Sequence, residues 1–316
     1  MSLHLFKLDR IEEDQKILKP FRHIYNCPSK YHLELYRAFN YWLKISEDKM
    51  EYIGEIMQIL HTGSLLYDDI QDDSTTRYGA PAAHCVYSLA LTINAASYSC
   101  AIVLDKILAL GHPEAAAIFS ELFIEGHRGQ GIDIYWRDFL ECPSEEEYMD
   151  MIKQKTSFMF ILALRLMQLF SDNNANYTKI TELIGIYYQI RDDYCNLVNQ
   201  EGIDSLARKG VPENSVDKSY CSDITEGKFS LPIIHALKHS EDANKILNIL
   251  KLRTNDTDLK NNCISILDKA GSFQYTREVL TELEKEIYTE IKALGGNPVM
   301  TSIIDALSNW RRDRDD

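Results

Sequence analysis

The stretch "HTGSLLYDDIQDDSTTRYGAPAAH", residues 61 to 84, crowds Asp68, Asp69, Asp72 and Asp73 among Leu65, Leu66 and Ile70. Holding like charges beside apolar side chains is costly unless a cation joins them. On a helix Asp68 and Asp72 stand at i and i+4, roughly 5–6 Å apart on one face. The device recurs in "YYQIRDDYCNL", where Asp192 and Asn196 stand at i and i+4 and Gln189 lies one turn earlier. Two oxygen-rich faces of this kind suit a hard divalent cation. Mg²⁺ commonly takes one or two carboxylates and completes its shell with water and substrate phosphate oxygens. A phosphate held by metal on one side needs cations on the other. Lys155, Lys218 and Lys228 stand in segments otherwise poor in basic residues. Each lysine alone reads as a solvated tip or a helix-end charge; the acidic clusters are what give them a phosphate to hold. A lone Arg77, followed by Tyr78, closes the first stretch.

Helices must position these residues. "EYIGEIMQILHTGSLLYDDI" sets Ile53, Ile56, Met57, Leu60, Ser64 and Asp68 on one stripe at three- and four-residue steps. "EEEYMDMIKQKTSFMFILALRLMQLF" reads as a long helix turning almost wholly apolar, as in the core of a large α protein. "TELIGIYYQIRDDYCNL" and the segment from Leu259 to Leu294 are helical too, the latter breaking near Gly271. Short breaks fall near Pro28-Ser29, Gly79-Pro81 and Cys142-Pro143, and "NQEGIDSLARKGVPENSVD" is the longest loop. No period-two strand pattern and no linker interrupts the series. The expectation is an all-α fold in which residues 1–316 form a single large helical domain.

Composition narrows the partners. The formal charge of −14 over 316 residues disfavours nucleic acid, whose phosphates need clustered Lys and Arg. Seven cysteines, odd in number and without paired spacing, suit a reducing compartment. The N-terminal segment has no apolar signal region, and no uninterrupted apolar run approaches the ~18 residues of a membrane span. The expected location is cytoplasmic.

The motifs "LLYDDIQDDS", "HRGQGIDIYWRD", "QKTSFMF", "YYQIRDDYCNL" and "DITEGKFSLPIIHAL" together resemble those of the isoprenyl diphosphate synthases, in particular animal and fungal geranylgeranyl diphosphate synthases. The resemblance implies an all-α, normally homodimeric enzyme whose two Asp-rich motifs face a central cavity. It implies that Asp68, Asp72 and Asp192 hold a Mg²⁺ cluster, three ions with bound diphosphate. Arg77, Lys155, Thr156, Gln189, Lys218 and Lys228 would hold an allylic diphosphate.

Family members that elongate chains also bind isopentenyl diphosphate through a Gly-Lys-x-x-Arg element, a His before the first Asp motif, and the second of two adjacent arginines after it. Here the element reads "SKYHL": Lys30 is kept, Ser29 replaces glycine, and Leu33 stands where arginine is expected. His61 is present. The arginine pair has become Arg77-Tyr78. Arginine grips a diphosphate bidentately, and neither leucine nor tyrosine replaces its charge. At roughly 1.5–3 kcal/mol for each charged hydrogen bond, two losses would weaken binding by about a hundred- to ten-thousand-fold. An allylic cation without its usual nucleophile loses a proton, adds water or cyclises. The resemblance therefore points to a terpene synthase derived from a synthase-like ancestor, acting on geranyl or farnesyl diphosphate and releasing an ocimene-type olefin. The alternative is a geranylgeranyl diphosphate synthase with a rebuilt isopentenyl site. Ser157 and Phe158, where the family tends to have paired glycines, would reshape the cavity. Tyr67, with the small Gly63 and Ser64 one turn before it, points the same way.

Overall fold

The computed structural model describes residues 11–25, 30–198 and 220–311, and it is all-α. In chain order the helices are α1 (Ile11–Ile17), α2 (Lys19–Tyr25), α3 (Lys30–Leu43) and α4 (Glu47–Gln71). A two-residue ladder follows, β1 (Thr76–Arg77) against β2 (Ala80–Pro81). Next come α5 (Ala83–Val86), α6 (Leu89–Ala109), α7 (Ala115–Phe139) and α8 (Glu145–Ile152). A π-helical turn, Lys153–Ser157, joins α8 to α9 (Phe158–Gln168), and α10 (Thr178–Val198) follows. The rest are α11 (Ser222–Glu226), α12 (Leu231–His239), α13 (Ala243–Leu252), α14 (Thr257–Lys269), α15 (Ser272–Ala293) and α16 (Pro298–Leu307).

Contacts gather into two compact units. One joins Met1–Pro28 to Ile56–Ala109, the other Ser29–Glu55 to Leu110–Asp316. In the first, α6 runs beside α1, α2 and α5. Gly63 of α4 permits close approach to α6, since a Cβ there would lie 2.2 Å from Ser99 Oγ. Tyr67 reaches across to Ser97, oxygen to oxygen at 2.6 Å. Gly63 and Tyr67 are thus spent on helix packing. α6 is long and apolar enough to cross a membrane by length and composition alone, although Thr92, Asn94, Ser97 and Ser99 interrupt its apolar run.

In the second unit α10 is the central helix, buried along nearly its whole length from Ile180 to Val198. A helix buried on every side needs neighbours on every side. It has them in the π turn, α15, α8, α9, α11 and α12. α15 meets it with a stripe of Phe273, Thr276, Leu280, Ile287 and Ile291. Each fully buried Leu or Ile of this kind contributes roughly 1.5–3 kcal/mol.

Local signals fix the ends. Ser144 and Glu147 form a reciprocal capping box on α8. Asp256 accepts from Asp258 N and Leu259 N at the start of α14, and Asn297 from Met300 N at the start of α16. Gly271, at φ 71°, makes the expected break between α14 and α15. The long helix expected from Glu145 to Phe170 is instead interrupted by the π turn.

Candidate active site

Each Asp-rich motif builds its own group. α4 carries His61, Asp68 and Asp72 at seven- and four-residue steps, all half-buried. Asp73, at φ 54°, ends the helix, and the chain turns back through the β1–β2 hairpin. Its two-residue tip, Tyr78-Gly79, has φ of 60° and 73°, the mirror-image turn that matches the twist of a tight hairpin. Tyrosine in that left-handed conformation carries backbone strain. The hairpin folds Arg77 back onto α4. Its Nε donates to Asp69 Oδ1 at 2.7 Å and its Nη2 to Asp68 Oδ2 at 2.8 Å. The Arg77 guanidinium also lies 6.0 Å from the Tyr78 ring centroid, within cation–π range. Burial pushes the Asp69 carboxyl above the usual range, with Arg77 pulling it back. Burial disfavours the Arg77 cation too, but Asp68 and Asp69 outweigh it and hold the guanidinium firmly protonated. Asp69 Oδ2 is buried and accepts no hydrogen bond among the described residues.

The second group centres on Asp193. Its Oδ2 accepts the Tyr148 hydroxyl at 2.5 Å. Its Oδ1 accepts Gln189 Nε2 at 2.8 Å and Lys228 Nζ at 2.7 Å. Thr156 Oγ1 donates to Gln189 Oε1 at 2.8 Å, and Lys155 Nζ to Asp133 Oδ2 at 2.6 Å. The network thus draws together Lys155, Thr156, Gln189 and Lys228, with Asp192 half-buried on the same helix beside Asp193. Lys155 and Thr156 lie in the π turn, a distortion that recurs at functional sites because it re-aims side chains. Burial would strip the Lys228 proton, but Asp193, then Asp223 and Asp133, hold it well above its ordinary value. Asp223, 4.0 Å from Lys228, is raised well above the carboxylate range by burial, against the pull of that lysine.

The two motifs share a division of labour. In Asp68-Asp69 and in Asp192-Asp193 the second residue is buried, Asp69 at 1% and Asp193 at 0% exposure, and is paired to a cation of the chain itself. The first, Asp68 or Asp192, is half-exposed. Successive helical residues are rotated by about 100°, so one carboxylate of each pair turns to the core and its neighbour away from it. Asp69, Asp193, Asp133, Tyr148 and Asp223 were all missed in the sequence reading. The adjacency of the Asp pairs inside apolar helices was the signal for the first two; the others have none.

Some expectations are corrected. Asn196 does not offer its oxygen beside Asp192. Its Nδ2 donates to Ser222 Oγ at 2.8 Å and its Oδ1 accepts Asp223 N at 3.2 Å, so the amide is committed to the start of α11. Nor do Ser157 and Phe158 supply new bulk to a cavity. Both are buried, against glycines: a Cβ on Gly185 would meet Ser157 Oγ at 2.0 Å, and one on Gly126 the Phe158 ring at 2.8 Å. Leu33 is partly exposed on α3, beside Gly54. Lys30 opens α3, but its side chain, like the whole of Lys218, lies outside the described residues.

Hard oxygen donors dominate both groups, as Mg²⁺ requires. Among the described residues no three of His, Cys, Asp and Glu cluster closely enough to hold an ion by themselves. One or two carboxylates with substrate phosphate oxygens are the ligand set this arrangement fits. Asp68 and Asp72 in the first group and Asp192 in the second are half-buried carboxylates of that kind.

Comparison with known proteins agrees with this chemistry. The polyprenyl synthetase family model matches residues 14–267, and the chain belongs to that family. It is 49% identical over 300 residues to a terpene synthase of Matsumurasca onukii, covering 95% of each chain. It is 42% identical to a geranylgeranyl pyrophosphate synthase of Dictyostelium discoideum, covering 96% of each, and 40% identical to one of Mucor circinelloides f. lusitanicus, covering 92% of each. The protein is therefore an enzyme of isoprenoid biosynthesis, in a family that generally uses Mg²⁺ and whose chemistry an allylic diphosphate fits.

Proposed function

We propose that the protein is a Mg²⁺-dependent terpene synthase that ionises geranyl or farnesyl diphosphate and releases a volatile olefin and pyrophosphate. The observation that carries this reading is the asymmetry between subsites. The residues for an allylic diphosphate, Arg77, Lys155, Thr156, Gln189, Lys218 and Lys228, are all present, whereas the two isopentenyl-side arginines are Leu33 and Tyr78. Neither replacement offers a charge to a diphosphate, and Leu33 on α3 is apolar and partly exposed. The terpene synthase of Matsumurasca onukii, similar over almost the whole chain, supports it.

Lys155 and Lys228 are tethered by ion pairs to Asp133 and Asp193, so their positions are set before substrate arrives. Preset donors stabilise charge on a leaving group at little reorganisation cost. Mg²⁺ held by Asp68, Asp72 and Asp192, three ions with diphosphate in this reading, would stabilise the charge developing on that leaving group. The proton lost from the cation passes to pyrophosphate, a tyrosine or a main-chain carbonyl. The enzyme acts as a cytoplasmic homodimer.

The second reading, a geranylgeranyl diphosphate synthase, is favoured by Lys30 and His61 and by the relatives of that name. Incubating purified protein with Mg²⁺ and geranyl or farnesyl diphosphate alone tests the first. Headspace olefin is the expected product; its absence from both incubations contradicts the reading.

A further inference from the structure

Within the first unit a cleft of about 750 Å³ opens beside α1 and α2, and none of its lining residues belongs to the candidate active site. Lys16, Lys19 and Arg22 line it at three-residue steps, with His23 next to Arg22, Gln15 and Tyr87 beside them, and Glu12 as the one carboxylate among its described lining residues. In a chain of charge −14, acidic partners are plentiful, yet Lys16, Lys19 and Arg22 make no ion pair among the described residues. Clustered cations repel one another, and among the described lining residues only Glu12, one helical turn before Lys16, offsets that cost.

The wall behind them is fixed. Pro20, Phe21 and Ile24 anchor α2 in the core. His23 Nε2 lies 2.9 Å from Pro81 O, and a carbonyl only accepts, so Nε2 carries the proton. The His23 ring meets the Tyr87 ring edge-on at 5.6 Å. The volume lies within the roughly 300–1,000 Å³ of small-molecule sites, far more than inorganic phosphate fills.

We propose that this cleft is a binding site for a polyvalent organic phosphate, its phosphates on Lys16, Lys19 and Arg22 and its organic part against Tyr87. Recognition needs no divalent ion, because the cations belong to the protein. The site is independent of the reading of the active site.

The test titrates the full-length protein with ADP by calorimetry, in low-salt buffer with EDTA. Saturable binding is expected, weakened at least about ten-fold by Lys19→Glu and by Arg22→Glu and unchanged by Asp68→Ala. Both reversals are on exposed residues and leave turnover of allylic diphosphate intact, so unfolding is excluded by the same samples. A parallel arm sediments neutral vesicles carrying a doubly phosphorylated inositol lipid. Vesicle binding that the reversals abolish, with none to ADP, keeps the phosphate site and makes its ligand a lipid headgroup. Binding that survives both reversals, or no binding of either probe, overturns the proposal.

Discussion

At the residue scale, the buried member of each Asp pair organises the candidate site. Asp193 accepts from Tyr148, Gln189 and Lys228 at once. Asp193→Asn leaves a buried ammonium facing an amide, and removing one partner of a buried pair costs about 3–5 kcal/mol. Denaturant unfolding should show that loss, with turnover falling alongside it because Lys228 and Gln189 lose their anchor. Asp223 makes the opposite prediction. Its carboxyl is raised by burial, so between the unfolded value near 3.9 and the folded one the native state binds more protons. Stability contributed by this group therefore falls as pH rises from about 4. Asp223→Asn should remove that fall, seen as a flatter dependence of the denaturant midpoint on pH above 4. Leu33→Arg with Tyr78→Arg restores the two missing cations. Isopentenyl diphosphate binding should tighten by at least about ten-fold in calorimetry, out of the hundred-fold or more expected from two charged hydrogen bonds.

At the element scale, α7 shows how packing sets the chemistry. A Cβ on Gly129 would lie 2.5 Å from Lys155 N, in the backbone of the π turn, which cannot give way cheaply. Gly129→Ala should cost about 1–3 kcal/mol by overpacking and depress turnover by displacing Lys155 and Thr156. Gly131, one half-turn on, has nothing within 4 Å. Gly131→Ala should leave turnover unchanged and raise stability by roughly 0.5–1 kcal/mol. Thermal melts of the two variants check both signs. The glycines also explain why the bulk at Ser157 and Phe158 misled the sequence reading. Gly185 and Gly126 make room for it, and a linear sequence does not say which glycine faces which side chain.

At the scale of the whole molecule, helix identity was legible because apolar residues recur at three and four steps over long stretches. The π turn was not, since the residues that flank it keep α-helical dihedrals and no proline or glycine marks it. That Asp68 and Asp72 share a helix was legible from spacing; the pairing of Arg77 with Asp68 and Asp69 was not, because a hairpin brings it back. α6 presents Leu89, Ile93, Leu104 and Leu108 to solvent, an apolar row of the kind that association covers. If the proposed homodimer uses it, Leu104→Glu with Leu108→Glu should halve the mass in sedimentation equilibrium, while an unchanged dimer would move the interface elsewhere. The central claim, that an allylic diphosphate is ionised and not elongated, is met most directly by one incubation. Purified protein, Mg²⁺ and geranyl diphosphate are mixed with radiolabelled isopentenyl diphosphate, and olefin and dephosphorylated prenols are counted. Unlabelled olefin with no labelled longer prenol is the result the asymmetric subsites predict. Labelled geranylgeraniol would contradict it, and would show that Leu33 and Tyr78 leave a working isopentenyl site.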